Sequence, residues 1–85
     1  MASYSVLFKR SAAKEIEALP LKDRRRVVAK IQALGADPRG EGCEKLSGEE
    51  KYRVRQGDYR ILYEIADTEL IVTVVKVGNR RDVYR

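Results

Sequence analysis

The sequence predicts an α+β fold: a small antiparallel sheet with two N-terminal helices packed on one face, in the order β-α-α-β-β-β. Three observations carry this. Residues 3–9, 51–56 and 59–65 show the two-residue period of a strand, and residues 70–77 add a mostly apolar run. Residues 11–34 hold two apolar stripes of helical spacing, separated by Pro20. Gly and Asp punctuate the joins of the second half.

Residues 3–9 place Tyr4, Val6 and Phe8 on one side of the first strand. Ser11 is an N-cap type for a short helix through Leu19, with Ala12, Ile16 and Leu19 on one face, and Pro20 ends it. A second helix is expected from about Lys22 to Leu34, with Val27, Val28, Ile31 and Leu34 as its buried stripe and Gly35 at C′. Arg24, Arg25 and Arg26 on this helix point ~100° apart, which describes a solvated face rather than a clamp. Asp37-Pro38-Arg39-Gly40-Glu41-Gly42 is a loop, and Lys45-Leu46-Ser47-Gly48 leads into the strands.

Residues 51–56 turn Tyr52 and Val54 one way and Arg53 and Arg55 the other. Gly57-Asp58 makes a hairpin-like turn into residues 59–65. After a turn at 66–69, residues 70–77 form the most hydrophobic strand, expected at the centre of the sheet and ended by Gly78. Helices on one face leave the other partly open. Arg53 and Arg55 are too costly to bury unpaired and belong on that open face or its rim.

Eighty-five residues predict one domain spanning 1–85, burying somewhat over ~60% of its unfolded surface. Cys43, the sole cysteine, excludes an internal disulfide and suits a reducing cytosol. It has no paired histidine or base and is not read as a nucleophile. Residues 1–8 are too short and polar for a signal peptide, and the apolar run 70–77 falls far below the ~20 residues of a membrane span. A soluble, cytoplasmic protein without membrane partner is expected. With no histidine, one cysteine and scattered carboxylates, no metal site and no cofactor are expected. The net charge of +5 is spread along the chain, ten basic and eight acidic residues through position 50 against eight and five beyond it. It suits an anionic partner, either nucleic acid or an acidic binding protein.

Four basic-aromatic stretches carry the functional signal: Tyr52-Arg53-Val54-Arg55, Gly57-Asp58-Tyr59-Arg60, Gly78-Asn79-Arg80-Arg81 and Asp82-Val83-Tyr84-Arg85. Strand alternation can aim several guanidiniums and one phenol at a single phosphodiester. Arginine suits charge stabilisation through bidentate donation to phosphate. It suits proton transfer poorly, because its pKa stays above ~12. The candidate catalytic set is Arg53, Arg55, Arg60, Arg80 and Tyr84, with Lys51, Arg81 and Arg85 as further RNA contacts. Arginines on an exposed strand also pair with cross-strand carboxylates, here Glu64 or Asp58. Tyr59 and Tyr63 share a face with Ile61 and Ile65 and read as core or groove lining. From spacing alone, phosphate contact and structural pairing both stand.

Taken in order and spacing, these motifs resemble the RelE/ParE toxin superfamily of bacterial and archaeal toxin–antitoxin pairs, on the RelE side. The likeness runs over essentially the whole chain: the Ser-Ala-Ala-Lys-Glu helix, Leu19-Pro20, Asp37-Pro38, Lys45-Leu46-Ser47-Gly48, the strand motifs from Tyr52 to Tyr63, and Val77-Gly78 through Tyr84. The resemblance implies a microbial-ribonuclease-type fold and a metal-independent endoribonuclease, an mRNA interferase that cuts mRNA in the ribosomal A site. Its partners would be the ribosome, mRNA and a cognate RelB-like antitoxin. Carried over by position, Arg53 and Arg55 match the strand positions that activate the 2′-hydroxyl and assist the leaving group. Arg60 and Arg80 match the arginines on the scissile phosphate, and Tyr84 the tyrosine that orients or stacks on substrate. Two departures stand out. Asn79 occupies a position where many relatives carry histidine, and arginine holds strand positions that are lysine in some. The alternatives are a ParE-like DNA gyrase inhibitor and a catalytically weakened homologue that still binds its antitoxin.

Overall fold

The computed structural model describes residues 3–46 and 50–79. Strand β1 (Ser5–Phe8) is followed by helices α1 (Arg10–Glu17) and α2 (Leu21–Ala36), then strands β2 (Glu44–Lys45), β3 (Lys51–Gln56), β4 (Tyr59–Ala66) and β5 (Ile71–Asn79). The strands form one sheet in the order β1-β5-β4-β3-β2, antiparallel except for the parallel pair β1 and β5. The α+β architecture expected from the sequence is therefore present, with one short additional strand. The strand over residues 70–77 is interior rather than central. Its far edge receives β1, and β4 takes the centre.

The helices cover one face of the sheet. Ala12 and Ile16 of α1 and Val27, Ile31 and Leu34 of α2 pack onto Tyr52, Val54, Ile61, Tyr63, Val72, Val74 and Val77. Full burial of each such aliphatic side chain is worth roughly 1.5–3 kcal/mol. Strict alternation along β5 would send Lys76 to this core after Val72 and Val74. Instead the register shifts: Leu62 faces Lys76 but Tyr63 faces Val74, so Val75 is an extra residue and Val77 reaches the core. Beyond the reach of β1, the Val77 N–H donates to Glu15 Oε1 at 3.0 Å, and Glu15 Oε2 pairs with Lys76 at 3.1 Å.

Two helix boundaries differ from expectation. Lys9, not Ser11, is the N-cap of α1, and no side chain caps that helix. Gly35 lies inside α2 rather than at C′, and its reason is proximity. Its carbonyl accepts from the Tyr4 N–H at 2.7 Å, and a Cβ there would stand 3.1 Å from the Tyr4 carbonyl oxygen. The helix is thus laid directly against the entry to β1.

Candidate nucleic-acid cleft

The β3–β4 hairpin sets the site. Gln56 and Tyr59 pair across a two-residue turn in which Gly57 alone has positive φ, at +60°, the type II′ pattern. This fixes the register: Arg55 lies directly opposite Arg60, and Arg60 in turn opposite Gly78 on β5. With Tyr52, Val54, Ile61 and Tyr63 committed to the core, Arg53, Arg55 and Arg60 share the other face of the sheet. Like charges in direct register cost stability.

These three arginines line a cleft of about 340 Å³ together with Lys30, Gly42, Glu44 and Val54. Its position follows from the shortness of β2, which pairs only with Tyr52 and Arg53. Among the described residues, Val54–Gln56 has no strand beyond it, so the cleft wraps around that edge from the open face to α2. Arg53 is held here by a carboxylate: its Nε and Nη2 donate to Glu44 Oε2 at 3.0 and 2.6 Å. The partner is Glu44 rather than Glu64 or Asp58. Glu64 lies instead opposite Lys51 and 3.9 Å from Lys9 Nζ. Lys51 shares the open face but does not line the cleft. Arg80, Arg81, Tyr84 and Arg85 lie outside the described residues.

The loop that delivers Gly42 and Glu44 is pinned at three points. Arg39 makes a bidentate pair with Asp67 at 2.9 and 2.8 Å, and its Nε donates to the Tyr52 hydroxyl at 3.2 Å. Tyr4 adds a hydrogen bond to Asp67 Oδ1 at 2.7 Å. These donors, Arg39 first, lower the Asp67 carboxyl to about 2. From below, the buried Tyr63 hydroxyl donates to the Pro38 carbonyl at 2.6 Å. Burial foremost, with the Cys43 thiol beside it, raises the Tyr63 phenol far above its ordinary range. Tyr52 and Tyr63 stack at 5.8 Å between ring centres. Both are core residues supporting the loop.

A second cavity of about 190 Å³ lies around the hairpin tip, lined by Asp23, Arg26, Gln56, Gly57, Asp58, Tyr59 and Asn79. The Tyr59 hydroxyl donates to Asp23 at 3.2 Å, and burial followed by the Asp23 charge raises its pKa. The three consecutive arginines diverge. Arg24 donates to the carbonyls of Glu17 and Leu19 at 3.3 and 3.4 Å, closing the end of α1, while Arg26 turns to this cavity. Among the described residues no three His, Cys, Asp or Glu side chains cluster as a metal site would require.

Glu44 and Lys30 are the cleft residues that sequence reasoning missed. A two-residue strand has no periodicity to read, so Glu44 looked like loop. Lys30 sits on the flank of the α2 stripe, one position before Ile31, and only the position of the sheet edge brings it to the cleft.

The model of the ParE toxin family, from the type II toxin–antitoxin system parDE, matches residues 6–84. The chain is 31% identical to Toxin RelG of Mycobacterium tuberculosis over 96% of its own length and 97% of the relative's. Its structure resembles the toxin–antitoxin complex RelBE2 of the same organism, with a TM-score of 0.82 and 28% identity, covering 92% of this chain and 99% of the other. It also resembles the isolated Escherichia coli toxin RelE, with a TM-score of 0.81 and 27% identity over 96% and 92% of the two chains.

Proposed function

The chain belongs to the RelE/ParE family of type II toxin–antitoxin toxins, and from that premise we propose that it is a ribosome-dependent mRNA endonuclease. It acts in the cytoplasm, enters the ribosomal A site, and is neutralised by a RelB-like antitoxin. One observation supports this most: Arg53, Arg55 and Arg60 surround a single cleft that, among the described residues, also contains one carboxylate, Glu44.

The chemistry follows from what each group can do. Glu44 is the cleft's proton acceptor, the role that guanidinium groups cannot fill. It takes the proton of the RNA 2′-hydroxyl as that oxygen bonds to the adjacent phosphorus. The bond from phosphorus to the 5′-oxygen breaks, leaving a 2′,3′-cyclic phosphate and a 5′-hydroxyl whose proton comes from water. Arg55 and Arg60 stabilise the charge on the phosphorane-like transition state. Arg53 fixes the orientation of the Glu44 carboxylate. Arg80 extends the phosphate clamp and Tyr84 orients the substrate, as the family resemblance implies, and no metal takes part. Lys51, Arg81 and Arg85 contribute positive charge along the RNA path. The ribosome supplies the in-line geometry that such a site lacks by itself.

The test is an in vitro translation reaction with the purified protein, followed by mapping of RNA ends. Cut mRNA with gyrase supercoiling untouched supports the proposal. The ParE description of the matching family model favours one second reading, a gyrase inhibitor, which gives intact mRNA and lost supercoiling.

A further inference from the structure

The two cavities are lined by neighbouring residues of β3 and of α2. Arg55 lines the first and Gln56 the second; Lys30 lines the first and Arg26, one helical turn earlier, the second. Arg26 and Lys30 are an i,i+4 pair on the same flank of α2, ~6 Å apart along the axis. Consecutive phosphates of a single strand make a step of that order. The ion pairs of the fold employ Lys9, Arg39, Lys45, Arg53 and Lys76; among the described residues, neither Lys30 nor Arg26 has a carboxylate within 4.0 Å. Neither cation is held in an ion pair with a described carboxylate, and both line cavities beside the stretch of β3 that, among the described residues, β2 leaves uncovered.

We infer that RNA held at the arginine face continues over the Val54–Gln56 edge onto α2, where Lys30 and then Arg26 bind the next two phosphates. This rests on the RNA-cutting function proposed above. The track ends at Arg26, because Asp23 and Asp58 in the second cavity repel a further phosphate. It also gives a use to one of the three consecutive arginines, the other two being tied to α1 or turned to solvent. Phosphate contacts of this kind position the strand without reading its sequence.

The experiment measures binding of uncleavable 2′-O-methyl RNA, two and six nucleotides long, across a salt series. The proteins are wild type, Lys30→Ala, Lys30→Ala/Arg26→Ala, Lys30→Arg and Arg60→Ala. Two lost contacts make the log–log salt slope for the six-nucleotide RNA shallower by roughly 1.4 and weaken its binding by about tenfold. Binding of the two-nucleotide RNA falls by much less than that of the six-nucleotide RNA in the double variant, Lys30→Arg behaves as wild type, and Arg60→Ala weakens both lengths. If the double variant binds both lengths as wild type does while Arg60→Ala loses both, the cleft ends on the sheet and the inference is overturned. Loss of antitoxin binding with RNA binding intact overturns it too, by assigning this flank to a protein partner. Salt-independent binding by wild type itself removes the RNA-cutting function and the track together.

Discussion

Glu44 Oε2 accepts two hydrogen bonds from Arg53, from Nε at 3.0 Å and Nη2 at 2.6 Å, at the rim of a cleft with two more arginines. Arg53 is half-buried but Glu44 is exposed, so the pair contributes only about 0–1 kcal/mol to stability. Its worth to the fold is small. In the proposed reaction its consequence is larger, since it orients the Glu44 carboxylate.

Glu44→Gln separates those two roles. Glutamine can still accept from Arg53 but cannot take a proton near neutral pH. Cleavage is expected to fall by about 10²–10⁴-fold, the range for a lost general base, with the thermal midpoint nearly unchanged. Glu44→Ala should fall as far. A quantitative primer-extension assay measures both.

Arg55→Ala should move stability and activity in opposite directions. Removing one of two directly opposed arginines relieves repulsion, raising stability by roughly 0.2–1 kcal/mol in urea unfolding. Loss of a transition-state donor lowers cleavage by about 10²–10³-fold. A stability decrease would show that the register pair is not under electrostatic strain.

The Arg39–Asp67 latch predicts an acid-sensitive fold. Because the folded-state pKa of Asp67 is lowered to about 2, the unfolded chain takes up its proton first as pH falls. The latch is therefore fully stabilising above the ordinary carboxylate value of about 4 and is lost as pH falls through about 2. Urea midpoints of wild type and Asp67→Asn should differ by a constant amount above about pH 5 and converge toward pH 2. A gap that widens on acidification contradicts the assignment.

Gly35→Ala tests the contact between α2 and β1. Alanine brings a helix-propensity gain of about 1 kcal/mol. Its Cβ, however, meets the Tyr4 carbonyl at 3.1 Å, and the 2.7 Å hydrogen bond from Tyr4 N–H to Gly35 holds that backbone in place. Overpacking of about 1–3 kcal/mol should win, giving net destabilisation in urea unfolding.

The sequence was most readable where side-chain period and backbone agree. The split of Tyr52 and Val54 from Arg53 and Arg55, and the Gly57-Asp58 turn, were visible in the residues and put three arginines on one face. It was least readable where a tertiary neighbour decides. Gly35 has the look of a cap but serves a close approach. The Val75 bulge that exchanges Lys76 for Val77 leaves no mark in the pattern. Glu44 and Lys30 enter the cleft only because β2 is two residues long, which depends on pairing rather than on local preference.

The most direct measurement adds wild-type protein, Glu44→Gln and Arg60→Ala to ribosomes programmed with a defined mRNA and maps the RNA ends. The account predicts A-site cuts with 2′,3′-cyclic phosphate and 5′-hydroxyl ends for wild type, reduced by about 10²-fold or more in each variant. Intact mRNA with wild type, or full cleavage by Glu44→Gln, would contradict it.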